Sequence, residues 1–408
     1  MLFSQYNIIG GKRMVLVVEP NTNVTTANTS VPTVYSRTNP FRAKVLENID
    51  LNEAGSKKET RHIVLSLAGS GLSYEPGDCL GIVPVNDPEL VNTILTEMNW
   101  DGESSVVINK QGETLPLREA LATYLEITLL NKKIVQQAAE LTDNEEIQKL
   151  VLVENVTLLK EYMDGRDFLD LLRDFGPWKA NAQEMVSLLR KMPPRLYSIA
   201  SSLNANPDEV HLTIGAVRYT TYGRDRKGVC SVLCAERVEE GDTLQVFVQK
   251  NKHFNLPESE ETDIIMVGPG TGIAPFRAFI QEYAVKEANG RTWLFFGDQH
   301  AATDFLYQSE LETYQKDGVL TKLDVAFSRD SEHKVYVQHK MSENSKELFE
   351  WLENGAYFYV CGDKQYMAKD VHNTLIDVIE KEGNMSRDDA EAYLNAMQKE
   401  KRYQRDVY

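Results

Sequence analysis

The chain has 408 residues, enough for two or three domains that each bury a core. Its 44 Lys+Arg against 61 Asp+Glu give a formal net charge of −17, which argues against a general nucleic-acid binder but leaves room for a local basic pocket. No apolar run approaches the roughly 18–20 residues that span a bilayer. The start of the chain is not a positively charged segment followed by a long apolar core, as in a signal peptide, so a cytoplasmic enzyme is expected.

Residues 1–38 contain the polar stretch NTNVTTANTS and the prolines Pro20 and Pro32, and read as a flexible lead-in or linker, with a weak strand signal at 14–18. From Asn39 short apolar or alternating runs begin: FRAKVLENIDL, RHIVLSLAG and CLGIVPV suit strands. Residues 86–192 carry helical patterns at 88–98, 117–124, 134–141, 144–152 and 166–175. Strand signals return in RLYSIAS, EVHLTIGAVRY and TLQVFVQK. This is an all-β unit, 39–258, with a helical insertion.

Beyond PESEETD, strands and helices alternate. DIIMVG, TWLFFG, LTKLDVAFS and AYFYVCG read as strands, and PFRAFIQEYAVKE, DFLYQSELETYQKDG, ELFEWLENG and KQYMAKDVHNTLIDVIEKEG as helices. Such alternation predicts an α/β unit, 262–408, with a doubly wound parallel sheet.

DIIMV runs into GPGTGIAPF and then a helix. Gly268, Gly270 and Gly272 permit a tight turn, and the helix start offers free N–H groups to a phosphate. Asp298 follows the next strand, but the GxGxxG spacing of a dinucleotide site is absent, so its role as a ribose ligand is unassigned. Ser328 and Arg329 end another strand, followed by Lys334, Tyr336 and Gln338 at alternate positions, which share one side of an extended chain. A hydroxyl, two cations and a ring suit a 2′-phosphate beside an adenine, favouring NADP over NAD; a solvated charged loop is the plainer alternative.

In PPRLYSIASS, Arg195, Tyr197 and Ser198 combine a cation, a ring and a hydroxyl able to meet a pyrophosphate and a flavin, though a tyrosine here also suits a sheet surface. RKGVCSVL offers a second anion nest at Gly228 and Ser231, or simply a helix start. The four cysteines, Cys79, Cys230, Cys234 and Cys361, do not form a disulfide framework, and Cys230 with Cys234 lacks the partners of a metal site. Cys361, after the apolar YFYV, reads locally as a core thiol.

RLYSIASS, GPGTGIAPFRAF, SRD…KVYVQ, CGD…MAKDV and RYQRDVY, in this order, resemble the ferredoxin–NADP reductase superfamily, and the helical insertion resembles its diflavin branch. GLSYEPGDCLGIVPVNDPELV, TWLFFGDQH…DFLYQSEL and RYQRDVY are similar to the sulfite-reductase flavoproteins of that branch. The similarity covers 39–408.

The resemblance implies a β-barrel FAD-binding domain with a helical connecting insertion, then an α/β doubly wound NADP-binding domain. The cofactors would be FAD and NADPH, with no metal. Arg195, Leu196, Tyr197 and Ser198 would hold FAD pyrophosphate and isoalloxazine. Thr213, Ile214, Gly215 and Tyr219 would line the flavin and its adenine–ribose side. Gly228, Val229, Cys230 and Ser231 would bind its pyrophosphate through backbone amides, and Thr128 would add a contact from the insertion. Gly270, Thr271 and Gly272 would take the NADP pyrophosphate. Ser328, Arg329, Lys334, Val335, Tyr336, Val337 and Gln338 would take the 2′-phosphate and adenine, with Arg61 and Asp370 as outlying contacts. Ser198, Cys361 and Asp406 would surround the site of hydride transfer, and Tyr408 would stack on the isoalloxazine and move aside for nicotinamide.

The resemblance also implies onward transfer to a sirohaem sulfite reductase subunit. The flavodoxin-like FMN domain of that family is missing from this sequence. A natural FAD-only reductase serving a free flavodoxin or another haem protein is therefore the alternative to a fragment, and a monomer is expected.

Overall fold

A computed structural model describes residues 34–408. The strand signal at 14–18 and most of the polar lead-in lie outside the described residues.

Three strands come first: β1 (Phe41–Asp50), β2 (Thr60–Ser66) and β3 (Cys79–Val83). A short hairpin, β4 (Ser105–Val107) and β5 (Thr114–Pro116), lies in the insertion. Then follow β6 (Arg195–Ser198), β7 (Glu209–Gly215), the hairpin β8 (Arg218–Thr221) and β9 (Arg224–Lys227), and β10 (Thr243–Gln249). The main sheet is antiparallel with order β6-β3-β10-β1-β2-β7. Its two edges meet where Ile199 bridges Leu212 and the Ala200 amide donates to the His211 carbonyl at 2.8 Å. The sheet is thereby closed into a barrel. Ala43, Val45, Ile63, Leu65, Leu80, Ile82, Leu212, Ile214 and Val246 point inward at the two-residue spacing of strands.

The insertion has a core of its own, built on Leu117, Leu121, Ile134, Ile147, Phe168 and Leu172. All the expected helices form, and Val156–Met163 and Ala182–Val186 are additional. Only Leu159 of Val156–Met163 is buried, although its apolar residues recur at helical spacing. Helix Phe168–Phe175 opens with a reciprocal capping box between Asp167 and Asp170.

The second sheet is parallel: β11 (Ile264–Val267), β12 (Thr292–Asp298), β13 (Lys322–Phe327), β14 (Tyr357–Gly362) and β15 (Tyr403–Val407), in the order β13-β12-β11-β14-β15. Helices cover both faces, so all four β11 residues are buried and the strand reads as an unbroken apolar run. Sequence reading missed β15, whose Arg405 and Asp406 suit an edge strand rather than a central one. It also missed helices Val337–Glu343 and Arg387–Lys399. Strand order reverses between β11 and β14, and such switch points open a ligand crevice beyond the strands' carboxyl ends.

A buried polar seam joins barrel to sheet. Arg277, on helix Ala274–Val285, donates to the Ala200 carbonyl at 2.7 Å and pairs with Glu310 at 2.9 Å. Tyr307 hydrogen-bonds Thr213 at 2.7 Å and His62 at 2.9 Å. Burial, with Arg277 and His211 beside it, lowers His62 to about 3, so the ring is neutral around pH 7.

Candidate active site between barrel and parallel sheet

The crevice at the switch point faces the open side of β6. Together they enclose a cleft of about 900 Å³, lined from the barrel by Arg195, Leu196, Tyr197, Ser198, Thr213 and Gly215, and from the sheet by Gly270, Thr271, Asp406 and Tyr408. β6 brings Ser198 to its mouth, in register with Cys79. β15 brings Asp406, in register with Cys361. The Ser198 hydroxyl donates to Asp406 Oδ2 at 2.7 Å, closing the gap between the two sheets. Burial raises the Asp406 carboxyl above the usual carboxylate range, and the serine hydroxyl partly offsets this.

Cys361 is close by but does not line the cleft. Its side chain is fully buried, and its thiol is pushed well up, first by burial and then by Asp406. A Cβ at Gly272 would collide with the Cys361 carbonyl, so the glycine lets the turn pack directly on the end of β14. Tyr408 is 65% exposed and shares a 2.9 Å hydrogen bond with Thr271, linking β15's end to that turn.

A second cleft, about 610 Å³, adjoins the first and shares Arg195, Val217, Gly228 and Val229 with it. Thr128 and Tyr219 line its far part. At the junction, the amides of Val229, Cys230 and Ser231 have no partner among the described residues, facing the start of helix Ser231–Glu236. The Arg195 guanidinium is held there by the buried Glu126 carboxylate at 3.0 Å and the Pro193 carbonyl at 2.7 Å. The other Glu126 oxygen accepts from the Thr128 amide and hydroxyl, at 2.9 and 2.6 Å. Glu126 therefore ties the insertion to the cation, a role that nothing in LEIT reveals. A ring-sized cleft, an arginine with free amides at a narrow junction, and an adjoining cleft with an exposed tyrosine fit a flavin dinucleotide.

Other residues fall elsewhere. Ile214 is buried in the barrel core and Val337 in the sheet core, so neither side chain faces a cleft. Arg61 is engaged by Glu59 and the Ala235 carbonyl. Ser328 and Arg329 sit at the end of β13, their amides bonded to the Asp298 and Gln299 carbonyls. The extended alternation expected through Gln338 stops at Tyr336, because the helix starts at Val337. Lys334, Val335 and Tyr336 remain in the loop, while Gln338, one helical residue in, donates to Asp370 at 3.2 Å. Lys58 and Asp298, paired at the cleft edge, were not expected as partners.

The Ser198 hydroxyl bonds a carboxylate and not an imidazole, and burial pushes the Cys361 thiol well up, keeping it protonated. The pair therefore lacks the base-activated nucleophile of acyl-transfer enzymes. Instead, it is suited to orienting two planar rings and holding charge as it moves between them.

Residues 34–233 match the family described as "FAD binding domain", and residues 266–373 the family described as "Oxidoreductase NAD-binding domain". Fold and matches together define a FAD-binding barrel joined to an NAD-binding oxidoreductase sheet. The chain is 66% identical over 374 residues to the sulfite reductase (NADPH) flavoprotein alpha-component of Bacillus subtilis (strain 168), covering 92% of this chain and 62% of that protein. It is 48% identical over 374 residues to the protein of the same name from Vibrio parahaemolyticus, covering 92% and 59%, and 47% identical over 375 residues to that from Vibrio vulnificus, covering 92% and 60%. The chain thus spans about three fifths of these relatives' length.

Proposed function

We propose that this chain is an NADPH-dependent flavoprotein reductase of the sulfite-reductase type, which accepts hydride from NADPH onto FAD and passes electrons onward. The observation that carries the reading is the 2.7 Å Ser198–Asp406 hydrogen bond, where the flavin-facing strand of the barrel meets the switch point of the parallel sheet. FAD, when bound, supplies acceptance of two electrons and their release singly. The chain's own residues bind and orient. Arg195 and the amides of Val229, Cys230 and Ser231 hold the FAD pyrophosphate, and Tyr197 and Ser198 face the ring. Tyr219 and Thr128 flank the adenosine side.

Gly270, Thr271 and Gly272 receive the NADPH pyrophosphate, while Ser328, Arg329, Lys334 and Tyr336 read its 2′-phosphate and adenine. Ser198 and Asp406 align donor and acceptor, with Cys361 packed behind them. Tyr408, bonded to Thr271 where it lines the cleft, would stack on the isoalloxazine and move aside for nicotinamide. Residues 39–258 form the FAD-binding unit and 262–408 the NADP-binding unit, in a cytoplasmic monomer.

The relatives' names, each an alpha-component of sulfite reductase, favour another sulfite reductase subunit as the route's end, and the family resemblance makes that the sirohaem subunit. The chain spans only part of those relatives, which favours, as a second reading, a separate flavodoxin or FMN domain as the immediate acceptor.

Anaerobic titration of FAD-reconstituted protein tests the function. NADPH bleaches the flavin stoichiometrically, NADH far more slowly, and Arg329→Ala narrows that difference. Protein that cannot be loaded with FAD, or that NADPH leaves oxidised, overturns the reading. Reduced protein mixed with the sirohaem subunit or with a flavodoxin then separates the acceptors.

A further inference from the structure

Asp298 ends β12, one strand from the glycine turn, with its side chain only 2% exposed. In many dinucleotide-binding sheets a carboxylate at this strand end bonds a ribose hydroxyl. Here a cation occupies it. Lys58, in the loop between β1 and β2 of the barrel, brings Nζ to 2.6 and 2.7 Å from the two Asp298 oxygens. The ion pair crosses from the flavin-binding unit to the parallel sheet.

Lys58 keeps 34% of its side chain exposed and lines the main cleft beside Thr271. A Cβ at Gly270 would stand 3.6 Å from Nζ and 3.7 Å from Asp298 Oδ2. Gly270 has φ +57°, and the amides of Gly270 and Thr271 have no partner among the described residues. An ammonium carries three donors, two of which Asp298 takes. Because Lys58 also lines the cleft, the third is left for a ligand there. β12 lies between β13, whose end leads to Arg329, and β11, which runs into the glycine turn, so a dinucleotide held at both would pass the end of β12. An uncovered carboxylate there would repel it, whereas Lys58 neutralises that carboxylate and offers a donor.

We propose that Lys58, pinned by Asp298 over the Gly270 turn, is a pyrophosphate-binding residue for the nicotinamide dinucleotide, contributed by the flavin-binding unit. The proposal rests on the reading of this cleft as the NADPH site, and deepens it.

Calorimetric titration of the FAD-loaded protein with NADP⁺, and separately with 2′-AMP, which lacks the pyrophosphate, tests it. Lys58→Gln weakens NADP⁺ binding by about tenfold or more, from loss of a charge-assisted contact. It leaves 2′-AMP within about twofold and lowers the salt dependence of NADP⁺ binding. Lys58→Arg keeps most of the affinity, and guards against a Lys58→Gln protein that does not fold. Asp298→Asn, which retains the cation, weakens NADP⁺ much less than Lys58→Gln. NADP⁺ binding unchanged in Lys58→Gln, an equal loss of 2′-AMP, or an equal loss in Asp298→Asn would overturn the proposal; the last would make the pair a strut between domains. Wild-type protein that binds neither ligand would overturn the NADPH reading itself.

Discussion

Ser198 and Asp406, 208 residues apart in sequence, are joined by a hydrogen bond in which the serine hydroxyl donates to a half-buried carboxylate. Neither residue is positioned by its own neighbours. The barrel must close and the fifth parallel strand must dock before the two meet. Ser198→Ala is expected to slow flavin reduction by NADPH by about 10–100-fold, the cost of a small misalignment of reacting groups. FAD content should stay the same. Stopped-flow absorbance checks the rate, and an unchanged rate would remove Ser198 from the transfer step.

Tyr408 is held by its hydroxyl to Thr271 yet is otherwise largely exposed, a combination that suits a ring able to swing away. Tyr408→Ala is expected to narrow the preference for NADPH over NADH about tenfold or more, because nicotinamide no longer competes with the phenol for its place. The ratio of kcat/KM values for the two nucleotides is the measurement. A ratio equal to that of the parent would refute the gating role.

His62 makes the domain seam sensitive to acid. Its folded value of about 3 lies below the ordinary 6.5, so between these the unfolded chain binds a proton that the folded chain refuses. Stability therefore rises with pH across this window and is lost as pH falls from 6.5 towards 3, with a slope from this group of at most about 1.4 kcal/mol per pH unit. His62→Gln should flatten the acid side of a plot of melting temperature against pH between 6.5 and 4.5. A parallel shift, with the slope intact, would assign the acid sensitivity to other groups.

Arg224 and Arg226 on β9 clasp Asp167 and Asp170 at the start of helix Phe168–Phe175, with four bonds of 2.6–2.8 Å. Burial alone would raise Asp170, but the Asp167 amide and Arg224 hold it below the usual range. Asp170→Ala leaves the buried Arg226 short of a partner and is expected to cost about 3–5 kcal/mol in urea unfolding. Glu145→Ala, which breaks an exposed pair with Lys149, should cost only about 0–0.5 kcal/mol. Similar costs for both would mean the cluster is as solvated as the surface pair.

The architecture was legible because it is written in local periodicity. Alternating runs such as EVHLTIG and unbroken runs such as IIMV map directly onto β7 and β11. The polar edge strand β15 and the short, largely exposed helix Val156–Met163 escaped. In the site, glycine turns and the Arg195–Ser198 strand announced themselves by spacing and by resemblance. Glu126 and the Lys58–Asp298 pairing did not, because a charge's partner far along the chain leaves no trace in its own segment. The extended reading of Lys334, Tyr336 and Gln338 failed at Gln338, since the two-residue spacing also fits a loop entering a helix.

The barrel's strand order has a consequence for how the protein is made. β1 pairs on one side with β2, close in sequence, and on the other with β10, for which it must wait until residues 243–249 leave the ribosome. During that interval the insertion can settle around its own core, while the β1–β2 hairpin carries an unpaired apolar edge. Slow elongation or high temperature during synthesis should therefore favour aggregation from this hairpin. A chaperone that shields it would raise the yield of folded protein without touching the finished site.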